Sequence, residues 1–172
     1  GMNDASISYE EMMKETNKAF PHERNSNKEF EAGEIHENYY NVAPAAGINA
    51  SISDMAAWLK VLLGNRPEVA SQKTLDKVFS PYVEMYPDEY FDEWDGVKNS
   101  YYGMGWRILD YGNKKLIHHG GFVNNYRSEI GIDRENKIAI CVLFNAPNSY
   151  ATVVVPMFMN YYQLYLSLTA KE

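Results

Sequence analysis

Residues 115–146, KLIHHGGFVNNYRSEIGIDRENKIAICVLFNA, contain the groups of this chain best suited to chemistry. His118 and His119 stand directly before Gly120 and Gly121. A histidine can give or take a proton near neutral pH. Glycines let a ligand approach the backbone closely. The amide that follows, that of Phe122, can point at a developing oxyanion. Together these parts suit nucleophilic acyl transfer. Taken alone, a strand histidine followed by a glycine bulge at a barrel-like edge accounts for the same residues more simply.

Other chemistries fit less well. Adjacent histidines on a strand point to opposite faces and cannot chelate one ion together. His22 and His36 lie far away in a polar region, and no spacing matches a zinc site, so no metal is expected. Neither GMGW nor HHGG has the glycine fingerprint of a dinucleotide or phosphate loop, and no cofactor is expected. The net charge of -7 disfavours nucleic acid as a partner. The single cysteine, Cys141, lies in an apolar run and reads as a structural thiol. No window has the apolar length of a transmembrane helix. The first residues, GMNDASISYEEMMKE, lack the basic-then-apolar layout of a signal peptide.

The elements that must position these residues follow from pattern. The 172 residues, 45% hydrophobic, suffice for one domain with a real core. Residues 1–45 are polar and weakly periodic, an irregular excursion with room for a short hairpin. In AAGINASISDMAAWLKVLLGN, Ser53 is the expected N-cap and Gly64 the expected stop. Met55, Trp58, Leu59, Leu62 and Leu63 form the expected buried stripe. A shorter helix follows, capped by Ser71 and ended before Pro81. The acidic, aromatic segment YPDEYFDEWDG reads as a solvated loop or, alternatively, a contact surface.

From Tyr101 the period becomes that of strands. Residues 101–111 read as one strand, Gly112-Asn113 as a turn, and 114–121 as a second strand ending in the glycines. Residues 125–133 and 138–145 complete an antiparallel meander. Ile138, Ile140 and Val142 alternate with Ala139, Cys141 and Leu143, so the last strand should be covered on both faces. Residues 150–169 read as a C-terminal helix with Pro156 in its first turn. The expected class is α+β: helices and long loops over 1–100, antiparallel strands over 101–146, and the closing helix.

The order of four stretches resembles the C-terminal part of the serine β-lactamase and penicillin-binding protein superfamily. The nearest likeness is to class C β-lactamases and their esterase and D-aminopeptidase relatives. GMNDASIS is similar to the segment after the family's second motif, and AAGINASISDMAAWLKVLLGN to its small-residue turn and helix. YYGMGWRIL is similar to the strand before the third motif, and HGGFVNNYRSEIGIDRENKIAICVLFN to that motif with its strands. The third motif is Lys-Thr-Gly, or His-x-Gly in many relatives. The family usually has an aromatic seven residues after the motif's first residue; Tyr126 stands seven after His119, whereas Asn125 stands seven after His118. The resemblance therefore selects His119-Gly120-Gly121.

It implies an incomplete β-lactamase/transpeptidase-like fold and the following roles. His119 takes the place of the motif's lysine. The Phe122 amide is one arm of an oxyanion hole. Gly120, Gly121 and Asn124 lie along the substrate, and His118 points away. The implied substrate is a small molecule or a peptide-like amide, ester or lactam. There are departures. Ala46 stands where class C enzymes carry a tyrosine, which favours an esterase-like or peptidase-like relative. Asn124-Asn125 replaces the usual Pro-Gly. No serine has a lysine three residues on, so the Ser-x-x-Lys nucleophile motif is absent. Tyr39-Tyr40-Asn41 and Tyr111-Gly112-Asn113 match the second motif by letters only.

The chain thus resembles a serine hydrolase cut after its second motif, expected to be inactive alone. The alternative is a non-catalytic half-domain that binds a peptide or a cell-wall fragment. In the family the sheet includes strands from the N-terminus. Without them one sheet edge is bare, and a dimer or strand-exchanged oligomer is expected. The family is commonly periplasmic, secreted or envelope-attached.

Overall fold

The structure, a computed structural model, describes residues 1–86, 91 and 94–169. Ser8 caps α1 (Tyr9–Lys14) by accepting from the Glu11 amide. The expected short hairpin is formed by β1 (His22–Arg24) and β2 (Phe30–Ala32). A 3-10 turn over Asn38–Val42 leads into the single-turn α2 (Ala43–Ala46).

Helix α3 (Ile52–Leu62) starts two residues earlier than expected. Ser51, not Ser53, is the N-cap. Its Oγ accepts from the Asp54 amide, and the Asp54 carboxylate accepts from the Ser51 amide, closing a capping box. Gly64, at φ +81°, ends the helix as expected. Trp58 departs from the expected stripe: it is exposed, while Val61 is buried beside Leu62 and Leu63. Helix α4 (Gln72–Val78) is capped by Ser71.

Six strands form one antiparallel meander in sequence order: β3 (Val83–Met85), β4 (Val97–Tyr102), β5 (Arg107–Tyr111), β6 (Lys114–Val123), β7 (Tyr126–Asp133) and β8 (Ile138–Phe144). Two expectations change. Residues 101–111 are parts of two strands, because the chain reverses at 103–106. There the Gly103 amide donates to the Trp106 carbonyl at 2.7 Å, and Gly105 lies at φ +80°. The second expected strand does not stop at the glycines. Gly120 pairs with Glu129 and Gly121 with Ser128, and β6 runs on to Val123. Asn124 and Asn125, at φ 45° and 66°, then close a two-residue hairpin, a conformation asparagine tolerates.

The sheet carries a core on each side. On the front, α3 and α4 pack Leu62, Leu63, Leu75 and Phe79 against Trp106, Ile108, Ile117, Ile130 and Ile132. After a 3-10 turn over Ser149–Thr152, α5 (Val154–Thr169) covers the back, burying Val155 and Met159 against Leu109, Tyr111 and Leu116. Strand β8 alternates as expected, with Ala139 and Cys141 on the front cluster and Ile138 and Ile140 on the back one. Burial pushes the Cys141 thiol up to about 11, consistent with a structural role.

The acidic aromatic segment is not a solvated loop throughout: Tyr86, Asp95 and Gly96 are exposed, but two of its aromatics turn inward. Phe91 and Trp94 belong to the back core, and the Trp94 indole donates to the Thr152 carbonyl at 2.6 Å. Tyr90, of the same segment, lies outside the described residues.

Two predictions follow from this packing. A Cβ at Gly131 falls well inside contact distance of Val155 on α5. Gly131→Ala should lose about 1–3 kcal/mol of stability, read as a lower urea midpoint. Asp133 is fully buried and bonded by Lys114 at 2.6 Å and by Asn136 at 2.7 and 3.0 Å. Burial alone raises its pKa, but these bonds outweigh it and hold the carboxyl below its ordinary value of 3.8. Its stabilisation is therefore present above that value and lost as pH falls below it. Acid unfolding of Asp133→Asn should be shallower across that window than that of the unaltered chain.

Candidate functional site

The site is built around the end of β6. Strand β5 pairs with β6 only as far as Arg107 and His118. Beyond that, the 103–106 turn carries the chain away, and among the described residues β6 keeps a neighbour on one side alone. In both flanking hairpins two residues form the turn, so Tyr111–Lys114 and Val123–Tyr126 are the hydrogen-bonded pairs next to the loops. Backbone direction alternates along a strand. Both hairpins therefore give one answer: His119, Gly121 and Val123 bond to β7, while the backbone groups of Gly120 and Phe122 point to the open edge.

Side chains alternate in the other sense. His119 and Gly121 face the front. There the sheet, residues 35–51 and the N-terminal segment enclose a cleft of about 820 Å³. Its wall is tied by bonds from the Tyr40 hydroxyl to Asn49 (2.7 Å) and from Asn49 Nδ2 to Ser6 Oγ (2.9 Å). The Tyr126 hydroxyl donates to the Ala19 carbonyl at 2.8 Å, and burial pushes its pKa up to about 12, so it stays protonated. Ala46 lines the same cleft.

His119 is half-buried, its ring edge-on to Trp106 at 5.8 Å. Its Nδ1 lies 2.6 Å from the Gly105 carbonyl. A carbonyl can only accept, so Nδ1 donates to it, and Nε2 is the ring nitrogen left for another partner. Gly121 leaves the floor beside Ser128 open; a Cβ there stands 3.0 Å from Ser128 Oγ.

His118 takes the opposite, back face and is fully buried, edge-on to Trp94 at 5.0 Å and Phe91 at 5.7 Å. Its Nε2 lies 2.9 Å from Glu129 Oε2, and Arg127 Nε donates to Glu129 Oε1 at 2.9 Å. Burial lowers the His118 pKa more than Glu129 raises it, and Arg107 and His119 add to the lowering. The imidazole is therefore neutral and donates to the carboxylate.

The structure thus brings His119, Gly121 and the Phe122 amide to one place. The Phe122 side chain is exposed on the back. Gly120 offers its backbone to the edge, while its Cα faces Glu129. Asn124 reaches across to Asn38, with Nδ2 2.9 Å from Oδ1. Of the two letter matches, Tyr39-Tyr40-Asn41 lies in the 3-10 turn and Tyr111-Gly112-Asn113 in the β5–β6 hairpin. Sequence reasoning missed the Glu129–His118–Arg127 cluster. The period-two spacing of Arg127 and Glu129 was its only signal, and their partner stands on another strand.

No curated protein matches this chain in sequence. Among solved structures, the chain is similar to an octameric penicillin-binding protein homologue from Pyrococcus abyssi, at TM-score 0.71 and 24% identity, over 93% of this chain and 35% of that one. A class C β-lactamase mutant aligns at TM-score 0.60 and 17% identity, over 91% of this chain and 46% of its own. A class C β-lactamase aligns at TM-score 0.61 and 18% identity, over 91% and 45%. The chain therefore spans between a third and a half of the length of these neighbours, and at such identities they show a shared fold. The family model for β-lactamase matches residues 1–155, most of the chain, and the chain belongs to the β-lactamase family.

Proposed function

We propose that this chain is the C-terminal wall of a serine hydrolase site that cleaves an amide, ester or lactam through an acyl-enzyme. The observation that carries this reading is the open edge of β6. It sets the Phe122 amide and the His119 ring on the same short stretch of strand. In the reaction a serine oxygen attacks the substrate carbonyl and its proton passes to a base. The Phe122 N–H stabilises the oxyanion as charge develops. The leaving group departs with a proton, and water then releases the acyl group. His119 Nε2 joins the hydrogen-bond network around the nucleophile. Gly121 and the Gly120 backbone lie along the substrate, with Asn124 at the end of the strand. No Ser-x-x-Lys occurs in these residues, so the chain alone is inactive by this route.

The experiment begins with the sequence encoded before the Gly1 codon. The reading expects an open frame carrying Ser-x-x-Lys and then Tyr-x-Asn. In the protein so completed, His119→Ala should cut ester or β-lactam turnover by about 10²-fold or more, within the range for proton-transfer groups, with folding intact. Unchanged turnover sinks the role of His119. A frame without the nucleophile motif overturns the hydrolase reading in favour of a half-domain that binds a peptide or a cell-wall fragment.

The second proposal concerns assembly. The outer edge of β8 is uncharged and apolar, Ile138–Phe144, and among the described residues its ladder is continued only by the His22 amide at the Asn145 carbonyl. An edge of this kind pairs readily with another strand. A second copy of the chain is the proposed partner. Light scattering at high concentration should give a dimer or larger species; a clean monomer counts against it.

A further inference from the structure

The back face of β6 holds a charged group with no part in the chemistry above. Glu129 is fully buried, and its two oxygens are held by His118 and Arg127, each at 2.9 Å. Burying an ion pair is costly in water-free surroundings, and a packed apolar side chain of similar volume is often the more stable choice. Stability is thus a poor reason for a carboxylate here. Its position suggests a better one. A Cβ added to Gly120 meets Glu129 Oε2 at 2.8 Å and Oε1 at 2.9 Å, distances that side-chain carbons do not adopt. The carboxylate occupies the volume a side chain at residue 120 would take. It stands directly behind the strand at the residue whose backbone points to the open edge.

We infer that Glu129 is a positioning residue for that edge: clamped by His118 and Arg127, it sets the backbone of Gly120 and hence the direction of the Phe122 amide. Glycine at 120 is required by the carboxylate behind it rather than by the ligand in front. The inference rests on the proposed reading of the edge as part of the site. Small displacements matter there, because shifts of about 1 Å suffice to misalign reacting groups.

The test uses this chain and two readouts. The first is steric coupling. Gly120→Ala should lower the melting temperature by about 5–10 °C, as expected when charge-assisted bonds are displaced in a domain of this size. Glu129→Asp keeps the charge and withdraws the carboxylate by one methylene, so Gly120→Ala in that background should lose less than half as much. Glu129→Gln fills the same volume, and there Gly120→Ala should stay fully costly. The second readout is the backbone amide resonances of Gly120 and Phe122. They should move in Glu129→Asp and Glu129→Gln but not in Leu116→Ala, which destabilises the same face without touching the clamp. Equal losses for Gly120→Ala in all three backgrounds, or equal movement of the Phe122 amide in Leu116→Ala, overturn the inference. Should Glu129→Asp fail to fold, the Phe122 amide in Glu129→Gln decides alone, and an unmoved resonance is the negative result. None of this requires turnover. A coupled Gly120–Glu129 pair with an upstream frame that lacks the nucleophile motif sinks only the hydrolase reading; an uncoupled pair with an inactive His119→Ala in the completed protein sinks only this inference.

Discussion

Strand β6 outlasts its neighbour β5, and the rest of the molecule is arranged around that inequality. As far as His118 both edges of the strand are satisfied by ladder bonds. From there to Val123 one edge has no strand beside it among the described residues. A backbone donor without a partner is costly when buried and useful when it faces a cleft. The 103–106 turn makes the difference. It removes β5 from the ladder and returns a carbonyl, that of Gly105, to hold the His119 ring.

The two faces of this strand do different work. On the front, glycine and a half-buried imidazole leave room for a ligand, and the tie between Tyr40, Asn49 and Ser6 shapes the opposite wall. On the back, aromatic rings pack around His118, and the Glu129 carboxylate fills the space behind Gly120. An edge open to solvent bends easily. One backed by a clamped carboxylate and by α5, seated against Gly131, is held from behind. The adjacent histidines are therefore not redundant. One is buried in the core against Glu129, and the other lines the cleft with its Nδ1 held by the Gly105 carbonyl.

Strand β8 poses the converse problem. Its faces are covered, by α3 on one side and α5 on the other, yet its outer edge is apolar and uncharged. The chain spans 35% and 46% of two neighbours that share its fold.

Much of this was legible from residue order. Alternation in 138–144 showed which side chains of β8 face each core, and the helix ending at Leu62 and the glycine after it were readable from spacing. The choice of His119 over His118 rested on one interval, to Tyr126. What local pattern could not supply was any feature made by residues distant in sequence. The splitting of 101–111 depends on a Gly103–Trp106 bond that competes with strand propensity. The true N-cap, Ser51, is identified by its reciprocal bond with Asp54, and Ser53 offered the same letter two places later. Phe91 and Trp94 looked like loop residues because their acidic neighbours set the local composition; burial against α5 was decided by the sheet. The reason for Gly120 lies on another strand. Sequence alone determined periodicity, turn chemistry and family likeness, all of which are local or cumulative. Only tertiary structure decided which edge stays open and which carboxylate stands behind it, because both depend on where neighbouring strands end.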